Sequence, residues 1–211
     1  WLAGHFKPVA LFTFAGEAEF DILRQFSTVQ DLSLQIEDSL VSKTIPKLKH
    51  VRRLNIAFNH RNVRFPKNFL EQNNHVSFLS FSCYSDSNMV NLDSFQQLKG
   101  LYVSTNDNKY PLKMGEAFTQ LESLVFDIEN FPAAQLAGLK KLKELGLPAS
   151  LPQIVFDSII KSQPYLEYLQ VLSVNSSQVT DFAVLKTANH LKYLIIAGDS
   201  LASINLGQLH Q

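Results

Sequence analysis

The chain has 211 residues, 45% of them hydrophobic and 18% charged, with nineteen basic side chains against nineteen acidic. That is apolar enough for a core and too sparsely charged for a disordered chain, while a net charge of zero argues against a dedicated nucleic-acid binder or a polybasic membrane clamp. A single cysteine excludes an internal disulfide framework and any multi-cysteine zinc site, and the longest apolar stretches, such as Val9 to Gly16, are too short to span a bilayer.

A triplet of apolar residues, spaced by two and then by one, recurs along the chain. In order it reads Val9, Phe12, Phe14; Val29, Leu32, Leu34; Val51, Leu54, Ile56; and Val76, Leu79, Phe81. It continues as Leu98, Leu101, Val103; Leu121, Leu124, Phe126; Leu142, Leu145, Leu147; Leu169, Leu172, Val174; and Leu191, Leu194, Ile196. In the eighth repeat Leu166, Leu169, Val171 fits as well. The repeat length averages close to 23 residues. The closing alternation of each triplet predicts a short strand with one face buried.

Helical signals fall between the strands. Phe20, Leu23 and Phe26 recur every three residues, Pro66 precedes Phe69 and Leu70, and Pro132 precedes Leu136 and Leu139. Pro152 opens a longer run with Val155, Phe156, Ile159 and Ile160 that Pro164 limits, and Thr180 is placed to cap a segment carrying Phe182, Val184 and Leu185. One strand and one return segment cannot enclose a core alone, but stacked copies can, each coil burying its apolar edge on the next. The expectation is an α/β solenoid of about nine coils with a parallel sheet on one side.

Two coils carry an asparagine three residues after the third apolar position, Asn59 and Asn106. With these, the chain resembles the leucine-rich repeat family, and the stretch from Val179, VTDFAVLKTANHLKYLIIAGDS, is similar to bacterial-type repeats. The resemblance implies a horseshoe with the sheet on its concave face, short helices or irregular segments on its convex face, and an asparagine ladder between coils. Other coils have Glu37, Tyr84, Glu129, Ser150, Ser177 and Asp199 at that place, and many leucines are replaced among the 16 phenylalanines, so the repeats are degenerate. The whole of residues 1–211 reads as one such domain. A start at Trp1 and an apolar, still-patterned end from Leu201 to Leu209 suggest a piece of a larger protein.

Within this frame the outward sheet positions are Asp31, Ser33, Gln35, Arg53, Asn55, Phe78, Ser80, Ser82, Tyr102, Ser104, Val125, Asp127, Glu144, Tyr193 and Ile195. Phe78, Tyr102, Val125, Tyr193 and Ile195 break the polar character of such a face. They are either partner anchors, with Arg53 adding charge selectivity and Asp127 on the same partner-binding face, or residues that cover one another along neighbouring strands. Between Asp38 and Glu71 there is no acid but eight basic residues, among them Lys47, Lys49, Arg52, Arg61, Arg64 and Lys67. That stretch is either an ordinary solvated edge or a docking patch for an acidic peptide, a phosphate group or a complementary partner.

Catalytic signals are poor. The histidines His5, His50, His60, His75, His190 and His210 form no paired metal spacing, and no nucleophile elbow, phosphate loop or dinucleotide fingerprint is present. Asp127 and Glu129 form an isolated carboxylate pair, Cys83 reads as a small buried residue, and Asn175–Ser177 is a glycosylation sequon. Residues 151–160, LPQIVFDSII, superficially resemble the start of an F-box, but a return helix of the solenoid accounts for them. The expected function is non-catalytic protein recognition through the concave face, with a protein partner, no cofactor, no metal, no nucleic acid and no membrane insertion. The alternative is the substrate-recognition module of a ubiquitin ligase or bacterial effector whose catalytic or adaptor domain lies outside this segment.

Overall fold

The computed structural model describes residues 10–15, 28–36, 47–58, 72–83, 95, 97–105, 116–127, 136, 138–148, 150–172 and 178–197. The chain divides into two compact units, Trp1–Asp107 with Gly115–Phe118, and Asn108–Met114 with Thr119–Gln211. In the first, β1 (Ala10–Ala15), β2 (Asp31–Ile36), β3 (Arg53–Phe58), β4 (Phe78–Cys83) and β5 (Gly100–Thr105) pair in chain order, every pair parallel. In the second, β6 (Ser123–Asp127), β7 (Glu144–Pro148), β8 (Tyr168–Leu172) and β9 (Tyr193–Ala197) do the same. This is the expected α/β solenoid of strand-and-return coils, a leucine-rich-repeat-like fold.

The buried triplets place the strands. Every triplet from Val29 to Leu147, together with Leu166, Leu169 and Val171, is 3% exposed or less. Successive strands set these residues side by side, as in Leu32, Leu54, Leu79 and Leu101 along β2 to β5. Phe81 and Phe126 fill third positions as completely as a leucine would, at 1% and 0% exposure. Four coils close through the same tight turn ahead of the strand, Val51 N–H donating to Leu48 O at 3.0 Å, Val76 N–H to Asn73 O at 3.2 Å, Leu166 N–H to Gln163 O at 3.3 Å and Leu191 N–H to Ala188 O at 2.9 Å.

A second backbone device fixes register. Ahead of six strands, the carbonyl just before the strand accepts two N–H groups from the next coil. Gln30 O takes Arg52 and Arg53, Arg52 O takes Ser77 and Phe78, and Ser77 O takes Lys99 and Gly100. In the second unit Glu122 O takes Lys143 and Glu144, Lys143 O takes Glu167 and Tyr168, and Glu167 O takes Lys192 and Tyr193. A slip of one residue would forfeit these bonds and turn the apolar set outward.

Two registers differ from the sequence reading. In the eighth repeat the Leu166 frame holds, since Leu145 pairs with Leu169 and Leu147 with Val171. Leu172 is only half-buried. In the first repeat β1 pairs Leu11 with Leu32 and Thr13 with Leu34, which sets Phe12 and Phe14 opposite Ser33 and Gln35. The strand ALFTFA has apolar residues at both parities, so only pairing with β2 selects the frame.

The return segments follow their caps. Helix α1 (Gln153–Ser162) starts after Pro152 and buries Phe156, Ile159 and Ile160. The F-box-like stretch is therefore the return helix of its coil. Phe156 meets Phe182 edge-on, with centroids 5.6 Å apart. The 3-10 segment Ala183–Thr187 has Phe182 at its N-cap, and the side chain that meets its first N–H is Asp181 rather than Thr180, Oδ1 accepting Ala183 N–H at 2.8 Å. Thr180 N–H and Asp181 N–H instead donate to Gln153 Oε1, each at 3.0 Å, and Gln153 Nε2 donates to Asp181 O at 2.7 Å. After Pro132, Leu136 and Leu139 are buried. The segments expected around Glu19 and Pro66, and the asparagines Asn59 and Asn106, lie outside the described residues.

Candidate functional site

Because the strands run parallel in fixed register, side chains on their open face fall into rows. In the first unit one row is Asp31, Arg53, Phe78 and Gly100. Its members lean on each other. Arg53 Nε stands 3.9 Å from Asp31 Oδ1, and its guanidinium carbon lies 4.9 Å over the Phe78 ring, a cation–π contact. The Phe78 ring in turn lies where a Gly100 side chain would be, since a Cβ there would fall 2.2 Å from Phe78 Cδ1. Phe78 thus keeps only 36% exposure, and mutual covering along the strands accounts for it. In the next row Asn55 Nδ2 donates to Ser33 Oγ at 3.0 Å, and the row continues through Ser80 to Tyr102, which is 38% exposed.

The second unit has the more open apolar face. Its first row is Ser123, Glu144, Tyr168 and Tyr193, and its second is Val125, Gly146, Gln170 and Ile195. Tyr193 and Ile195 are 63% and 42% exposed, and the Tyr168 and Tyr193 rings lie 6.1 Å apart. Val125 is only half-exposed and packs into the space above Gly146, where a Cβ would come within 2.6 Å of its Cγ1. Val125 is therefore part of the sheet's packing rather than a protruding anchor. The Asp127 side chain lies outside the described residues.

Tyr168 was invisible to the sequence reading because the Leu169 frame hides it; the Leu166 frame would have shown it. A charge ladder was missed as well. The doubly accepting carbonyls belong to residues that stand at one level, so their side chains form a row. In the second unit that row is Glu122, Lys143, Glu167 and Lys192. Lys143 Nζ is 3.1 Å from Glu122 Oε2, and Lys192 Nζ is 2.7 Å from Glu167 Oε2. The signal is the residue just before each strand, which no single repeat makes conspicuous.

The Lys192 hydrogen bond, then the Lys192 charge, holds the Glu167 carboxyl below its ordinary range, against a smaller desolvation effect, and Lys143 and His190 add to the lowering. The same bond raises Lys192. The Glu167 contribution to stability is whole above the ordinary carboxylate range and is lost as pH falls through its lowered folded value. That of Lys192 is whole below the ordinary lysine range and is lost as pH rises through its higher folded value. Both groups are exposed, so the effect on folding is small, but the titration is measurable. Lys192→Ala is expected to move the Glu167 midpoint upward in an NMR pH titration; an unmoved midpoint would show that the ladder does not exist in solution.

Of the basic stretch, Lys47, Lys49 and Arg52 are exposed on the turn before β3, and Arg61, Arg64 and Lys67 lie outside the described residues. The histidines described are His50, His75 and His190. His75 Nε2–H donates to Leu48 O at 2.9 Å, and the His190 ring lies 6.1 Å from that of Tyr165. Among the described residues no group of three or more His, Cys, Asp or Glu is arranged to hold a metal ion, and no helix is long and apolar enough to cross a membrane.

No protein-family model and no curated protein matches the chain. Among solved structures it is similar to an internalin from Listeria monocytogenes, with a TM-score of 0.45 and 13% sequence identity over 87% of this chain and 68% of that one. The leucine-rich-repeat-like fold rests on the chain's own coils, with their buried triplets, parallel register and shared carbonyls.

Proposed function

We propose that the protein is a non-catalytic recognition module that holds a protein partner on the open face of its second-unit sheet. The observation that carries this reading is the exposed patch of Tyr193 and Ile195, flanked by Tyr168, on strands whose backbones are pinned coil to coil. Aromatic groups on a rigid support lose little entropy on binding and supply large contact area. Tyr102 and Arg53 are secondary anchors in the first unit, where Arg53 already spends its charge on Asp31 and Phe78.

The test is affinity capture from cells of the source organism with the native protein and with a Tyr193→Glu, Ile195→Glu variant shown by circular dichroism to be folded. A partner captured by the native protein is expected to be lost by the variant, since each anchor of this kind contributes about 2 kcal/mol or more. Equal capture by both would overturn the reading.

A further inference from the structure

We propose a second docking surface, on the turn before β3 in the first unit, that takes an acidic segment of a partner protein. The turn reads Lys47-Leu48-Lys49-His50-Val51-Arg52, and its parts point two ways. Leu48 and Val51 are buried, at 7% and 3% exposure, while Lys47, Lys49, His50 and Arg52 are exposed. The buried pair therefore sets the basic groups outward. The backbone that bears them is fixed, because Leu48 N–H donates to Asn73 Oδ1 at 2.7 Å and Leu48 O accepts from His75 Nε2 at 2.9 Å. Cations on a fixed turn lose less entropy on binding than cations on a free loop.

The contrast with the second unit identifies what is missing. There the cations before the strands, Lys143 and Lys192, are each met by a glutamate one coil earlier, at 3.1 and 2.7 Å. Arg52 occupies the same position in its coil, but its neighbours in the row are Gln30 and Ser77. Among the described residues Lys47, Lys49 and Arg52 have no carboxylate partner. The fold supplies a place for the counter-charge one coil away and leaves it unfilled, so the complement comes from outside. A few cations in a chain of zero net charge, with Asp31 close by on the Arg53 side, suit a short run of carboxylates. A continuous phosphate backbone needs many more contacts.

The probe is a fluorescent Glu-Ser repeat peptide, with its Gln-Ser counterpart as reference, titrated with the native protein by anisotropy at low salt. Lys47→Glu, Lys49→Glu, Arg52→Glu is expected to weaken Glu-Ser binding at least about ten-fold. A control with the same total charge change on exposed second-unit lysines, Lys140→Glu, Lys161→Glu, Lys186→Glu, is expected to weaken it less than about two-fold, because it changes the total charge and leaves the cations of the turn in place. Arg52→Gln alone provides a mild variant that keeps the fold, with an expected loss of about three-fold. The Tyr193→Glu, Ile195→Glu protein should bind the peptide as the native one does, which separates this surface from the sheet face. The proposal is overturned if the native protein does not prefer Glu-Ser to Gln-Ser, if both triple variants lose affinity alike, if Arg52→Gln has no effect, or if oligo(U) RNA or phosphatidylserine vesicles bind more tightly than the peptide.

Discussion

Phe156→Ala is expected to cost the second unit about 3–5 kcal/mol of stability. Phe156 is fully buried on the inner side of α1, and its ring meets Phe182 of the next coil at 77°. Truncation removes the transfer free energy of the ring and leaves a cavity between two return segments. Those segments are joined elsewhere by three hydrogen bonds between Gln153 and the backbone of Thr180 and Asp181, and a fourth to Asp157 within α1 orients the Gln153 amide; together they hold the surroundings in place and limit collapse into the cavity. The relaxation that rescues some core truncations is therefore restricted here. Ile154→Ala on the same helix is the control, because Ile154 is 78% exposed and its loss should change stability by no more than about 0.5 kcal/mol. Denaturant unfolding of both variants checks the pair. Hydrogen exchange would locate the damage, since in a stacked array each coil depends chiefly on its neighbours. Equal costs for the two substitutions would mean that α1 is not packed as described.

The sequence was most informative where repetition averaged out local ambiguity. Nine triplets sharing one spacing point to buried positions that no single one would establish; the structure buries the six from Val29 to Leu147 and the Leu166 frame of the eighth, and leaves Leu191, Leu194 and Ile196 of the ninth half-buried. It was least informative where composition serves two frames. ALFTFA offers apolar residues to both faces of β1, and LEYLQVLSV, residues 166–174, contains two overlapping triplets. Pairing with the neighbouring strand decides both, and pairing is a property of two coils at once. The candidate site divides in the same way. Exposure of Tyr193 and Ile195 follows from alternation alone. The covering of Phe78 does not, since it depends on Arg53 one coil earlier and Gly100 one coil later. The glycines were silent in the sequence because a missing side chain matters only against a particular neighbour. Unpaired charge on the turn before β3 shows in the sequence as a run without acids, but its meaning comes from the paired ladder of the other unit.

Asn73→Leu is expected to destabilise the first unit by about 1–3 kcal/mol, although it makes the core more apolar. Asn73 stands three residues before the first residue of its triplet. The equivalent places hold Leu48, Phe95, Phe118, Leu139 and Ala188, all buried, so an apolar side chain is the ordinary occupant and a leucine is accommodated there in two coils. What it cannot do is accept the Leu48 N–H, which Asn73 Oδ1 takes at 2.7 Å, and a buried donor without an acceptor bears its full desolvation cost. Gln163 holds the same position in its own coil and is just as buried, yet Gln163→Leu should be neutral within about 1 kcal/mol or stabilising. Its Nε2 donates to Leu136 O at 3.0 Å, but that carbonyl also accepts Leu139 N–H at 2.9 Å and keeps a partner when Gln163 goes. Its Oε1 is buried with no partner, so the leucine removes a cost. Denaturant unfolding of the two variants separates the accounts. If burial of apolar area governs this position, both leucines stabilise; if the orphaned donor governs, Asn73→Leu falls while Gln163→Leu holds.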